Sequence, residues 1–206
     1  MLLQEPKPKK KNIDFNRKNL IESSLLTVIG TIFILIGNYV PFLSFLSLFT
    51  SVPIIITTYR NKLYYGLMSA VTTTVLLGFF IHPVAAFSAL LVFLIPGVCI
   101  GFFMRENRPP FETVFYGFLA MVFTTVVFMQ ALSVFLGIDI LESLLAILRE
   151  TMNMQYELLK NIPNIDKPNV EEMVKSVKLL FPSAIIGTTL IMSFLNYYMS
   201  VIIIRR

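Results

Sequence analysis

Fixed charge is what this chain lacks most. From Leu63 to Met104 there is no Asp, Glu, Lys or Arg, and charged residues make up 14% of the whole, where a globular domain carries about a quarter. Soluble cores do not carry uncharged runs of such length. There is one cysteine, Cys99, within an apolar stretch, so an intramolecular disulfide is excluded. There is one histidine, His82, and no His-Glu-x-x-His and no P-loop, so the usual triads, histidine metal sites and nucleotide cradles have no material. An intramembrane protease of the rhomboid or site-two type needs residues that are missing. Basic residues interleaved with aromatics on a soluble face are missing too, which excludes a nucleic-acid surface. The expectation is a protein that is not an enzyme and uses no cofactor or metal.

What is present is apolar: 56% of residues are hydrophobic, with a mean hydropathy of +0.77. That is the composition of an integral membrane protein. A hydrocarbon layer about 30 Å thick takes roughly 20 helical residues, so the uncharged run is two crossings long. Pro83 disfavours helix in the residue before it and can start a new one, which puts a tight turn at Ile81-His82-Pro83. Arg60 and Lys62 precede the run, and Arg105 and Arg108 follow it. Cytoplasmic loops collect Lys and Arg, so both ends of this hairpin are expected inside and its tip outside.

That orientation sets the register for the rest. Residues 1–19 carry Lys7, Lys9, Lys10, Lys11, Arg17 and Lys18 and read as a disordered basic cytoplasmic tail. The apolar run from Leu20 to Ile36 leads to Gly37-Asn38-Tyr39-Val40-Pro41 with no small-residue cleavage site, so it reads as a first span rather than a signal peptide. Pro41 opens a second span to Thr58, with Pro53 expected to kink it or end it early. The third runs from about Leu63 to Phe80, the fourth from Pro83 to Met104 and the fifth from Phe111 to about Leu136. Gly137 closes the fifth. The segment 139–178 is charged and amphipathic, with Asp139 and Glu142 placed as a capping box. Pro163 is expected to stop its helix, and Asn169 with Glu172 to cap a second short one. A last span then enters at Phe181-Pro182 and ends at Arg205-Arg206.

The cations test this layout. Twelve of the seventeen Lys and Arg fall on segments assigned to the inside, and five (Arg149, Lys160, Lys167, Lys175, Lys178) on the outer insert, which also holds seven acids. The predicted architecture is an all-α integral membrane protein: a six-helix membrane domain over 20–206, an extracytoplasmic amphipathic insert over 139–178, and both termini inside, in a bacterial cytoplasmic membrane.

Candidate binding groups are the uncharged polar residues of the outer half: Asn38, Tyr39, Ser44, Ser47, His82, Gln130, Ser133 and Thr188. A carboxamide in lipid must find a hydrogen-bond partner on a neighbouring helix or a ligand. As a set they suggest a small pocket opening outward. Gly97 and Gly101 form a GxxxG, and Ser23, Thr27 and Thr31 a weaker small-residue stripe; both are the kind of surface on which helices approach closely, within the bundle or against a partner. Leu141, Leu145, Leu148, Met152 and Tyr156 recur at helical spacing on the insert, which predicts a helix lying flat, as a lid or cap over the outer mouth or on the bilayer surface.

The ordered combination of Asn38-Tyr39-Val40-Pro41, Thr58-Tyr59-Arg60 followed by Gly66, Ile95-Pro96-Gly97, the Arg105 to Arg108 loop and Phe135-Leu136-Gly137-Ile138-Asp139 resembles the YybS-like family of bacterial membrane proteins, whose function is unknown. That family is similar in turn to the substrate-capture (S) components of energy-coupling-factor vitamin transporters, six-helix bundles with an outward pocket. The resemblance implies a small-molecule ligand and a transmembrane coupling protein driven by ATPases. Two features depart from it: Ser23, Thr27 and Thr31 stand where S components commonly carry an alanine-x-x-x-alanine docking pattern, and the outer insert is long. The insert suits a different reading, a non-catalytic scaffold for envelope assembly. Lipid is a neighbour under either.

The cation split predicts that cysteines placed at Asn38 and Asn164 react with an impermeant thiol reagent on intact cells, while one at Asn107 does not. Labelling at Asn107 would invert or break the layout.

Overall fold

In the computed structural model, residues 17–159 and 170–205 are described. Most of the basic tail, the stop at Pro163 and the cap at Asn169 lie outside them. Among the described residues every regular element is a helix, with no strand, and six helices are long and apolar enough to cross a membrane: Arg17–Tyr39, Pro41–Asn61, Leu63–Phe80, Pro83–Arg105, Pro110–Leu136 and Glu171–Arg205. Large apolar side chains such as Leu25, Phe79, Phe123 and Phe135 face outward from the bundle, where lipid meets them.

The first helix, α1 (Arg17–Tyr39), buries Ser23, Thr27, Gly30 and Thr31. Each hydroxyl donates to the carbonyl four residues back: Ser23 to Asn19 at 2.6 Å, Thr27 to Ser23 at 2.7 Å and Thr31 to Thr27 at 2.9 Å. A polar stripe whose protons are already used can be packed without water.

The second span is two helices. A 3-10 segment, Pro41–Phe49, gives way at Thr50 to α2 (Ser51–Asn61). Pro53 explains the position of the break. Its ring would strike the carbonyl four residues back in a continuous α-helix, but in the first turn of α2 no such carbonyl is in line. The break therefore falls three residues before the proline. Every residue from Ser51 to Thr58 is buried, as is Asn61, so α2 is the axis of the bundle. Around it pack α1, α3 (Leu63–Phe80), α5 (Ile95–Arg105) and α8 (Val170–Arg205).

The fourth span starts with α4 (Pro83–Ala89), passes through a π-helical turn at Leu90–Leu94 and continues as α5 (Ile95–Arg105). The N–H of Ile95 reaches the carbonyl of Leu90, five residues back. Pro96 has no N–H to continue the α pattern, and a single wider turn absorbs the mismatch. Ser51 of α2 donates to the Phe93 carbonyl inside that turn at 2.9 Å. His82 holds the start of α4: its Nδ1 accepts the Ala85 N–H at 3.2 Å.

The fifth span, α6 (Pro110–Leu136), ends at Gly137, whose φ of 65° places it in the left-handed region that favours glycine. The Gly137 N–H donates to Ser133 and that of Ile138 to Leu132, closing the helix end. Asp139 then caps α7 (Ile140–Leu159) by accepting the Glu142 N–H at 3.1 Å. The last helix departs from expectation. In place of a short helix followed by a span entering at Phe181-Pro182, α8 runs unbroken from Val170 to Arg205 with Pro182 inside it. At 1.5 Å per residue it is about 54 Å long, well beyond the roughly 30 Å of a hydrocarbon layer. The α7 helix packs against α8, and Val174 in the early turns of α8 is buried.

Glycines set the tightest helix contacts. A Cβ on Gly101 would lie 2.6 Å from the Ile55 carbonyl oxygen and 2.7 Å from the Thr58 Cβ; on Gly97 it would lie 3.2 Å from the Ser51 carbonyl. The GxxxG thus packs on α2 within the same chain. Gly187 on α8 has nothing within 4 Å of that position. An ordered series follows. Gly101→Ala should cost about 1–3 kcal/mol, Gly97→Ala less, and Gly187→Ala nothing. Thermal unfolding in detergent checks it, and equal midpoints for all three would refute the packing argument.

Candidate functional site

A cavity of about 440 Å³ lies among the 3-10 segment, the π-helical turn, α6 and α8. Leu48 closes it on one side, Val92 and Phe93 come from the π turn, and Met121 and Thr125 from α6. The fourth wall is the stretch of α8 from Ile185 to Leu195, including Thr188, Thr189 and Ile191. No titratable side chain lines it. The volume falls within the usual range for small-molecule pockets, about 300–1,000 Å³. It is an apolar chamber with three hydroxyls.

Those hydroxyls are not equivalent. Thr188 donates to the carbonyls of Ala184 and Ile185 at 2.8 and 3.1 Å, and Thr189 to Ile185 at 2.7 Å, so α8 consumes both protons. Thr125 Oγ1 is buried and has no hydrogen-bond partner in the protein. An unpaired buried hydroxyl is destabilising unless something meets it. Its neighbour Thr124 differs, donating to Ala120 at 2.9 Å.

Of the eight polar residues the sequence offered, Thr188 lines this chamber. Asn38 and Tyr39 are exposed at the end of α1, where the Tyr39 hydroxyl donates to the Phe80 carbonyl at 2.5 Å and ties α1 to the end of α3. Ser47 donates to the Ser44 carbonyl within the 3-10 segment at 2.6 Å. His82 serves as a helix cap, and Gln130 and Ser133 are exposed on α6. Short-range hydrogen bonds to the backbone engage Ser47, His82 and Thr188, and a longer-range one engages Tyr39.

The small-residue stripe of α1 is also occupied. Asn61 Nδ2 donates to Ser23 Oγ at 3.1 Å, and a Cβ on Gly30 would sit 3.6 Å from Pro53. Arg60 pairs with Glu22 at 2.8 Å on the same interface; with side chains 51% and 28% exposed, the pair contributes about 0–1 kcal/mol. On α7, Leu145 is buried and Leu141, Leu148, Met152 and Tyr156 are half-buried. That face belongs to the contacts with α8 and α6, and no α7 residue lines the apolar chamber. Leu144, Ile147, Met154 and Leu158 form a second, exposed apolar stripe.

Sequence reasoning passed over Thr125, Ser193 and Asn196. Ser193 donates to the Val114 carbonyl of α6 at 2.8 Å, bracing α8. Asn196 is fully buried; Nδ2 donates to Met192 at 2.9 Å, and Oδ1 has no partner. The one signal for Asn196 was a carboxamide within an apolar run. Thr125 carried no signal at all, because its unmet state depends on helix rotation.

The family described as "Predicted membrane protein (DUF2232)" matches residues 28–206 of the chain. A Bacillus subtilis (strain 168) protein, "Uncharacterized protein YybS", is 29% identical over 198 residues, covering 91% of this chain and 62% of that protein. The chain therefore spans less than two thirds of that relative's length. No solved structure matches.

Thr125→Val keeps the shape of the side chain and removes the unmet hydroxyl. It should stabilise the unliganded protein by about 1 kcal/mol or more and weaken the hold on any apolar molecule that carries a hydroxyl or carbonyl. Thr124→Val, which breaks a made bond, should do neither. Unfolding midpoints of the two variants with and without ligand decide between these outcomes.

Proposed function

This chain belongs to the DUF2232 family of predicted membrane proteins, and from that premise we propose that it is a non-catalytic capture protein that holds a small, uncharged, largely apolar molecule within the membrane. The observation that carries the reading is the chamber beside α8, apolar on every side, with one hydroxyl, Thr125, left without a partner. With no acid, base or nucleophile on its walls, the chamber suits holding a molecule rather than transforming it. The six spans carry no charge in their middle portions, which suits a carrier that does not run on protons. In this proposal the work comes from a separate ATP-driven membrane partner.

In the same proposal the end of the bundle holding Arg60, Lys62, Arg105, Arg108 and Arg205 faces the cytoplasm, and α7 with the first turns of α8 stands on the other side. The exposed stripe of Leu144, Ile147, Met154 and Leu158 supports a second reading, an envelope scaffold that docks a protein through α7. The two readings separate in one experiment. Ile191 lines the chamber and is 60% exposed, so Ile191→Trp fills it with little effect on packing elsewhere. Under the capture reading, native mass spectrometry of the purified protein shows a bound small molecule that is lost in Ile191→Trp. An unliganded wild type, or a ligand indifferent to the substitution, refutes it.

A further inference from the structure

A second cavity, of about 290 Å³, lies at the basic end of the bundle. Tyr59 at the end of α2, Asn107 and Arg108 in the turn after α5, and Tyr197 and Arg205 on α8 supply its polar lining. Two guanidinium groups, two phenols and a carboxamide converge there with no carboxylate among them. Asn107, with φ of 55°, takes the left-handed conformation that asparagine tolerates, and the Arg108 N–H donates to the Phe103 carbonyl at 3.2 Å, bringing Arg108 round towards α8. Glu112 approaches Arg108 at 3.7 Å, with side chains 43% and 58% exposed, a pairing too loose and too wet to satisfy it.

A further sign of unmet positive charge sits in the same turn. Arg105 buries Nη1 with no hydrogen-bond partner. A buried guanidinium nitrogen without an acceptor is costly, so this end of the fold holds more donor capacity than the protein itself answers.

We propose that this cavity binds a phosphate group, carried either by the headgroup of an anionic lipid or by a soluble phosphate. The guanidinium fork matches phosphate oxygens bidentately, and phenol and carboxamide donors complete the coordination. No carboxylate lines the cavity, and Glu112, beside Arg108 at 3.7 Å, stands outside the lining. The volume, close to the lower bound of about 300 Å³ for ligand pockets, is that of a headgroup rather than a whole lipid. Ile204, Val201 and Met104 make the apolar part of the lining, against which the glycerol and first acyl carbons of a lipid would rest. This site is separate from the apolar chamber and does not depend on the capture reading.

The test uses the full chain in neutral detergent, with binding followed by native mass spectrometry. The probes are short-chain phosphatidylglycerol, phosphatidylcholine with the same chains, and inorganic phosphate. Phosphatidylglycerol should bind at least about tenfold more tightly than phosphatidylcholine, and R108Q and R205Q should each weaken it about tenfold. R17Q removes one charge at the same end but outside the cavity and should leave binding unchanged. Arg205 lies in the last turn of α8 and is exposed, so R205Q reads the site even where replacing Arg108 disturbs the turn. Competition by inorganic phosphate assigns recognition to the phosphate group itself and supports a soluble source; arginine-dependent lipid binding without competition supports the lipid. Equal binding of the two lipids with no phosphate effect overturns the proposal. So does a loss in R17Q as large as in R205Q, which would leave only diffuse charge.

Discussion

Everything in this fold depends on enclosing α2. Its backbone lies against four other helices, and in hydrocarbon no water is available to correct an imperfect contact. Close approach is achieved where the neighbour has no side chain: Gly97 meets the Ser51 carbonyl, Gly101 meets Ile55 and Thr58, and Gly66 of α3 meets Thr58 from the other side. The polar residues of α2 are reconciled with burial by the same local economy seen in α1. Thr57 donates to Pro53 and Thr58 to Ile54, both at 2.8 Å, so the hydroxyls are satisfied before the helices meet. Lipid offers little apolar driving force between helices, and the packing itself supplies the cohesion.

Proline shapes what surrounds that axis. Pro53 moves the helix break back to Thr50, leaving the 3-10 segment whose Leu48 walls the apolar chamber. Pro96 forces the π turn whose Val92 and Phe93 form another wall. The chamber therefore exists where two spans cannot run as regular helices. Pro182 behaves differently. It is exposed, and the helix continues through it with Ser183 donating to the Leu180 carbonyl at 2.7 Å.

The two cavities divide the molecule chemically. Beside the middle of α8 the walls are apolar and one hydroxyl is unmet; at the Arg108 end the walls are cationic and phenolic. In our proposals the first suits an uncharged molecule and the second an anion. Charge thus marks where the bundle meets water and headgroups, and its absence marks where the bundle meets hydrocarbon.

Much was legible without coordinates. The uncharged length from Leu63 to Met104, the turn at His82-Pro83, the closure at Gly137 and the cap at Asp139 all express local rules: hydrocarbon thickness, the missing proline N–H, the left-handed glycine, the carboxylate at a helix start. Local rules also govern the hydroxyls, yet the eight polar residues looked like ligand groups because sequence does not show whether a serine or threonine has already bonded to its own helix. The sequence alone determined six apolar helices and a basic end. Only the tertiary structure decided which polar atoms were left over. Among the described residues Thr50, Thr73, Arg105, Thr125 and Asn196 each keep an unmet polar atom through helix rotation and crossing, and those depend on contacts between residues far apart in the chain.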